Sequence, residues 1–198
     1  MESKHIEEMG FGSESVAKII RERRSIKEFR QDASVSTELI LKLLNDAVWA
    51  PNHGLREPWR FILFQEDGRK TLADAIIKET FSKEEQEKKA EHFSTYIMNI
   101  PAHLLVVMKA DPRPKQWEED LCATSALIQN FQLLAWEKQL GVIWKTNNYN
   151  WDPRFHKAVG IEPGEKVVAT LHIGYFDKVP KPRPRTPAEE KTKIILTY

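Results

Sequence analysis

The chain has 198 residues, with 30 Lys and Arg against 29 Asp and Glu, so its formal net charge is +1. This length fits one domain, or one domain with arms, and a 41% share of apolar residues argues against a disordered chain. The near-neutral charge gives no general attraction to nucleic acid or to an anionic membrane. The polar first residues lack the apolar core of a signal peptide, and no apolar run is long enough to span a bilayer. These features predict a soluble, cytoplasmic protein.

Hydrophobic periodicity predicts two helices in the first quarter of the chain. The pattern SESVAKIIRERR indicates a helix that begins at Ser13 or Ser15. The pattern STELILKLLNDAVWA indicates a second helix, capped by Ser36 or Thr37, that ends at Pro51.

The remaining elements alternate irregularly between strands and helices. We predict strands in WRFILFQ, AHLLVVMKA, VIWKTN and EKVVATLHIGYF, because these runs are short, apolar and contain aromatic or β-branched residues. We predict helices in GRKTLADAIIKETF, in the charged stretch SKEEQEKKAEHFSTYIMN (one helix or two), and in DPRFHKAVG, which Asp152 would open. The longest helix would cover QWEEDLCATSALIQNFQLLAWEKQLG and close at Gly141. The predicted class is α+β, with a sheet of four to five strands enclosed by helices.

The chain divides by composition into three parts. Residues 1–12 would form an N-terminal extension, residues 13–178 the folded domain, and residues 179–198 a basic tail that ends in KIILTY. This last run is too apolar to lie in water, so we expect it to join a sheet edge, either its own or that of a partner.

Cysteine and histidine usage argues against a metal site. The single cysteine, Cys122, lies in a predicted helix interior, where a small buried thiol is expected. The six histidines are scattered without the spacing of metal ligands.

Two groups of cations stand out in an otherwise balanced chain. The first contains Arg21, Arg23, Arg24 and Lys27, and the second contains Lys181, Arg183 and Arg185. Each could be a solvated basic patch. The prolines between the tail cations hold the chain extended, so a strand-like tail would direct all three cations to one anion, whereas a polyproline helix would splay them. The sequence therefore permits a phosphate clamp without requiring one.

Four segments in order resemble the motifs of the flavin-dependent nitroreductase family. They are RRSIKEF, APNHGLREPWRFIL, EDLCATSALIQNFQLLAWEKQLGVIW and HIGYFDKVPKPRPRTPAEE, which together extend over nearly the whole chain. The histidine in PNHG is similar to that of a small subgroup with His at this turn. The resemblance implies a nitroreductase-like central sheet and a homodimer that exchanges its C-terminal strand. It also implies FMN in two clefts at the subunit interface.

The resemblance assigns the phosphate end of FMN to the two cation groups. Arg23 would hold the phosphate together with Arg183 and Arg185 from the tail. Arg24 and Ser25 belong to the same loop as Arg23 and would contact the phosphate or the ribityl chain.

The ring end of FMN would be held by Lys27 of the first cation group and by two further parts of the chain. The resemblance implies that Lys27 lies near the pyrimidine edge, and that His53 and Leu55 come from the other subunit. Leu55 stands where larger members carry Asn, so a polar contact is lost or moved; His53 either replaces it or is a structural turn residue. Four residues would lie along the isoalloxazine: Gly141, Val142, Ile143 and Trp144.

The implied activity needs no dedicated acid or base, because the flavin carries the redox chemistry. NADH or NADPH would give hydride to FMN, and a nitroaromatic or quinone-type acceptor would then take its place in a ping-pong cycle. No G-x-G-x-x-G motif is present, so the nucleotide is not expected in a Rossmann site. Two alternatives remain: a non-enzymatic flavin-binding or storage protein, and an interaction module that uses KPRPR on an acidic partner.

Overall fold

The computed structural model describes residues 15–196. The predicted extension at residues 1–12 and the alternative cap Ser13 lie outside this range. The regular elements, in chain order, are α1 (Ser15–Glu22), α2 (Thr37–Ala47), β1 (Trp59–Gln65), α3 (Gly68–Thr80), α4 (Lys83–Met98), β2 (Ala102–Lys109), α5 (Pro114–Glu137), β3 (Leu140–Lys145), α6 (Pro153–Ala158) and β4 (Glu165–Tyr175). Single 3₁₀ turns cover His53–Leu55, Asn148–Trp151 and Ala188–Lys191.

The four strands form one antiparallel sheet in the order β1–β2–β4–β3. This confirms the predicted α+β class and the four predicted internal strands. A fifth strand from KIILTY does not form on this sheet, because residues 193–196 are not in a strand and Ile194 is 73% exposed. The expectation that KIILTY joins the sheet of its own chain is therefore wrong for residues 193–196.

Helices cover both faces of the sheet because the buried central strands alternate their side chains between two cores. Leu104 packs with α2 and α5, whereas the next residue, Leu105, packs with α3, α4 and α6. The first core contains, among others, Ile40, Leu44, Leu127 and Phe131. The second contains, among others, Leu72, Ile76, Ile97 and Phe155.

Side-chain caps define where two of the helices begin. Ser36 Oγ accepts a hydrogen bond from the Leu39 N–H at 3.1 Å, which confirms one of the two predicted caps of α2. Ser82 and Glu85 form a reciprocal capping box at the start of α4, so the predicted one or two helices of this region are a single helix. Helix α2 ends at Ala47, earlier than the predicted limit at Pro51.

The end of α5 differs from the sequence prediction. The helix ends at Glu137, and Gln139 takes the left-handed conformation, with φ of 56°, that Gly141 was expected to take. Gly141 lies instead in β3, where a Cβ atom would come within 2.8 Å of Ile26 Cγ1. Glycine is needed here because a neighbouring segment packs directly on the strand, not because a helix ends.

Cys122 is exposed on α5, so the expectation of a buried thiol is wrong. The buried face of the helix is formed by neighbouring positions that include Ala123, Thr124 and Leu127. Cys122 lies outside this buried face. The apolar run around it predicted a helix but did not show which face of the helix would be buried.

Two histidines form a buried pair across strands β2 and β4. His103 Nδ1 lies 2.7 Å from His172 Nδ1, and His103 Nε2 lies 3.0 Å from the Ile97 carbonyl. Because a carbonyl only accepts, His103 donates from Nε2 and accepts at Nδ1 from the Nδ1–H of His172. Burial lowers the pKa of His103 to about 4 and, together with the charge of its neighbour, lowers that of His172 to about 3. Both rings are therefore neutral near pH 7.

We predict that the free energy of unfolding decreases as the pH falls from about 6.5, the ordinary pKa of histidine, toward 4. In this window the unfolded chain binds protons that the buried pair excludes, so stability is lost by up to about 1.4 kcal/mol per pH unit for each proton. Urea unfolding at pH 7.5 and pH 5 measures the difference. His172→Asn should reduce it, whereas His92→Asn, at an exposed position of α4, should not. The same pH dependence in both variants would exclude the buried pair as its source.

Candidate functional site

The segment that follows α1 is held against the edge of the sheet. Ser25 bridges Val142 in parallel, and the Ile26 N–H donates to the Val142 carbonyl at 3.3 Å. Ile26 is 1% exposed, whereas its neighbours Ser25 and Lys27 are exposed. This alternation is typical of an extended segment with one buried face. It anchors the cations on both sides of Ile26 at the edge of β3.

The C-terminal tail meets this segment after it leaves β4. The Arg30 N–H donates to the Tyr175 carbonyl at 2.8 Å, which joins the two stretches where the tail begins. A cavity of about 960 Å³ lies between residues 23–30 and the tail. The structure thus brings the two cation groups together, and the cavity lining includes Arg23, Arg24, Ser25, Lys27, Lys181, Arg183 and Arg185.

Positive charge is concentrated at the half-buried end of this cavity. Burial lowers the pKa of Arg23, and the charges of Arg24 and Arg185 lower it further. Arg30 also lines the cavity, but its guanidinium binds Asp32 at 2.8 Å. A doubly charged anion would relieve the repulsion among the three inner arginines.

Arg24 has a buried donor that suits such an anion. Its terminal nitrogen donates to the carbonyls of Arg21 at 2.6 Å and Arg23 at 2.8 Å, while its Nε is buried without a hydrogen-bond partner. An unsatisfied buried N–H of a charged group is costly, and a phosphate oxygen would satisfy it. The residues of this cavity therefore fit the phosphate group of a flavin nucleotide.

His53 and Leu55 lie in a separate turn and do not line the cavity. The 3₁₀ turn His53–Leu55 includes Gly54 with φ of 64° and Leu55 with φ of 50°. Both side chains point to solvent in the single chain, and Leu55 is 83% exposed. Within one chain, the structure does not bring them to the cations.

The start of β3 lies next to the loop of cations but outside the cavity lining. Val142 and Ile143 are buried, and Gly141 packs against Ile26. Trp144 is half-buried, with its indole Nε1 buried and unpaired. This strand therefore supports the loop, and its indole N–H is a further unsatisfied donor.

Sequence reasoning missed a set of polar residues behind the His53 turn. Arg56 donates to the carboxylates of Asp111 and Asp120, and Asp120 is almost fully buried on α5. The sequence carried little signal for this, because Asp120 is the last of three consecutive acidic residues in a predicted helix. In the described part of the chain, no cluster of potential metal ligands occurs, and no helix is long and apolar enough to cross a membrane.

Comparison with known proteins identifies the family. The model of the nitroreductase family matches residues 20–175. A Bacillus subtilis (strain 168) protein named "Putative NAD(P)H nitroreductase YfhC" is 39% identical over 178 residues, which cover 87% of this chain and 90% of that protein.

Solved structures agree with this match. A nitroreductase-like family protein from Bacillus cereus is 46% identical, with a TM-score of 0.88, over 92% of this chain and 97% of that one. A "putative nitroreductase in complex with fmn" from Desulfovibrio desulfuricans is 23% identical and shares the fold, with a TM-score of 0.72 over 92% of this chain and 98% of that one. The match of the family model over most of the chain, together with these relatives, shows that this protein belongs to the nitroreductase family.

Proposed function

We propose that the protein is an FMN-dependent NAD(P)H oxidoreductase that reduces a nitroaromatic or quinone-type acceptor by a ping-pong mechanism. The observation that carries the proposal is the convergence of Arg23 and Arg24 with Arg183 and Arg185 on one cavity. Membership of the nitroreductase family, the name of the Bacillus subtilis relative and the FMN complex of the Desulfovibrio desulfuricans protein support it.

The cation cavity would hold the FMN phosphate. Arg23, Arg183 and Arg185 supply guanidinium groups whose forked donors match phosphate oxygens. Arg24 adds its unpaired Nε–H, and the exposed Ser25 hydroxyl is available to the phosphate or the ribityl chain.

Bound FMN would supply the redox chemistry, namely transfer of a hydride equivalent from NAD(P)H to the acceptor, and the second proton of a reduced quinone would come from solvent. The residues of this chain bind and tune the cofactor. Lys27 lies on the exposed face of the same loop and would stabilise negative charge at the pyrimidine edge of the ring. The start of β3, from Gly141 to Trp144, would lie along the isoalloxazine.

A second subunit would complete the ring site, so we include a homodimer in the proposal. His53 and Leu55 are exposed and do not line the cation cavity of their own chain, which is consistent with their serving the cleft of a partner. The tail ends in a further exposed apolar run, with Ile194 at 73%, Ile195 at 69% and Leu196 at 89% exposure. Such a run is expected to be covered, and packing on a second subunit would cover it.

The proposal is tested by purifying the protein, adding FMN, and recording its visible spectrum and its oxidation of NADH and NADPH with a quinone. Flavin absorbance that remains after gel filtration, together with quinone-dependent oxidation of either nucleotide, is expected. Bound flavin without turnover would indicate a flavin carrier, and no bound flavin would contradict the proposal.

Arg23→Ala should weaken FMN binding by about tenfold or more, because one charge-assisted contact to the phosphate is lost. Arg21→Ala is the matched control, since Arg21 belongs to the same basic run but does not line the cavity. Titration of the apoprotein with FMN, followed by quenching of flavin fluorescence, measures both dissociation constants. Equal values would remove Arg23 from the phosphate site.

Lys27→Met should lower the two-electron reduction potential of the bound flavin by about 30 mV, which corresponds to roughly 1.4 kcal/mol. The cause is loss of a cation beside the negative charge that reduction places on the ring. Spectroelectrochemical titration measures the change, and Lys42→Met, at an exposed position of α2, is the control. An unchanged potential in Lys27→Met would show that Lys27 does not lie at the ring edge.

Deletion of residues 194–198 should loosen the dimer and then release FMN, because the proposed cleft is shared between subunits. Each well-buried Ile or Leu contributes roughly 1.5–3 kcal/mol, so removing three such residues should raise the dimer dissociation constant by orders of magnitude. Sedimentation measures the dimer. The double variant Arg183→Ala, Arg185→Ala should show the reverse pattern, with FMN lost and the dimer retained. A tight, flavin-loaded dimer after the deletion would contradict this role of the tail.

A further inference from the structure

The turn between α2 and β1 holds two non-glycine residues in an unfavourable backbone conformation. Leu55 has φ of 50° and Glu57 has φ of 44°, on either side of Arg56. Left-handed conformations cost free energy for residues with a Cβ atom, and they persist only where surrounding contacts impose them. In this turn, the contacts are made by Arg56 and Asn52.

Arg56 is the strongest of these contacts. Its Nε donates to Asp120 Oδ1 at 3.2 Å, and one terminal nitrogen donates to Asp120 Oδ2 and to Asp111 Oδ2, each at 3.0 Å. Gln116 Nε2 also donates to Asp120 Oδ1 at 3.0 Å, which holds that carboxylate in place. Arg56 thus forms a two-point contact with one carboxylate and a third bond to another.

The acceptors of this contact belong to a rigid part of the molecule. The Asp120 side chain is 4% exposed and lies on the long central helix α5, and Asp111 is 12% exposed just before that helix. The guanidinium of Arg56 contributes to the lowered pKa of Asp111, after the larger effect of Arg113. The Asp111 carboxylate is therefore charged at neutral pH, and the two acceptors hold the Arg56 side chain against the start of α5.

A second anchor closes the turn from its other side. The Glu57 N–H donates to Asn52 Oδ1 at 3.0 Å, and the Leu55 N–H donates to the Asn52 carbonyl at 3.4 Å. The side chains of His53 and Leu55 face solvent, and Leu55 reaches 83% exposure. The contact of Arg56 with Asp111 and Asp120 and the exposure of His53 and Leu55 thus occur in the same short segment.

We propose that Arg56 is a positioning residue of the flavin site, which acts through Asp120 and Asp111 to hold His53 and Leu55 in the orientation that meets the cofactor. This inference rests on the proposed function, because it takes the His53 turn to be part of the FMN cleft. This positioning role differs from a role in stability alone, because the contact of Arg56 with Asp111 and Asp120 holds one short turn and does not join the two hydrophobic cores.

Arg56→Lys tests the inference, because lysine keeps the charge but cannot make the forked contact. Arg60→Lys is the matched control: Arg60 makes a similar contact with Glu165, at 2.6 Å from Nε, but this contact joins β1 to β4 and not the turn to α5. Asp120→Asn is a second test variant that weakens the same contact from the helix side. Amide hydrogen exchange, the FMN dissociation constant and the visible spectrum of bound flavin are measured for all three.

In Arg56→Lys and Asp120→Asn, we expect amide exchange at Leu55 and Glu57 and the FMN dissociation constant each to rise about tenfold, the equivalent of one charge-assisted hydrogen bond. The flavin absorbance maximum should also shift, whereas Arg60→Lys should resemble the unmodified protein in all three measurements. Unchanged exchange, or faster exchange with unchanged FMN binding and spectrum, would overturn this inference alone. Failure of the unmodified protein to bind FMN would overturn the proposed function and this inference with it.

Discussion

The close packing of residues 23–30 on strand β3 is the constraint on which the candidate site depends. Ile26 is buried against Gly141, where no side chain could be accommodated, and the Ser25–Val142 bridge sets the register of the two segments. A buried apolar residue stabilises this contact by roughly 1.5–3 kcal/mol, enough to keep its charged neighbours beside one another despite their repulsion. The position of the cations therefore follows from the apolar residue between them.

Burial of Arg23, and after it the like charges of Arg24 and Arg185, lower the pKa of its guanidinium, so the charged form is destabilised when no anion is bound. An anion that binds only the folded state reverses the effect, and at a hundredfold excess over its dissociation constant it adds about 2.7 kcal/mol of stability. A site of this kind links folding to its ligand. An anion in the proposed site would also satisfy the Nε of Arg24, which is buried without a hydrogen-bond partner.

The two parts of the proposed cofactor site are held by different physical means. The cation loop is held by apolar packing and backbone hydrogen bonds along a strand, whereas the His53 turn is held by charged hydrogen bonds to helix α5. Charged contacts impose direction as well as proximity, which suits a turn with positive φ at Leu55 and Glu57. Apolar packing is sufficient for a phosphate clamp, where several flexible side chains surround a symmetrical anion.

The sequence by itself determined the local structure and the chemical character of this protein. Short apolar runs with aromatic or β-branched residues predicted strands β1 and β2 correctly, and Asp152 caps α6 as expected, because these features depend on neighbouring residues. The motif order gave the family, and the two cation groups suggested an anion site.

Tertiary structure alone decided that Arg23 lies near Arg185, that His103 pairs with His172, and that Arg56 binds Asp120. It also placed Cys122 on the exposed face of α5, and it put the left-handed residue that follows this helix at Gln139, whereas the sequence predicted it at Gly141. These outcomes depend on which distant segments pack together, and neither periodicity nor residue type contains that information, because the contacts join parts of the chain far apart in sequence.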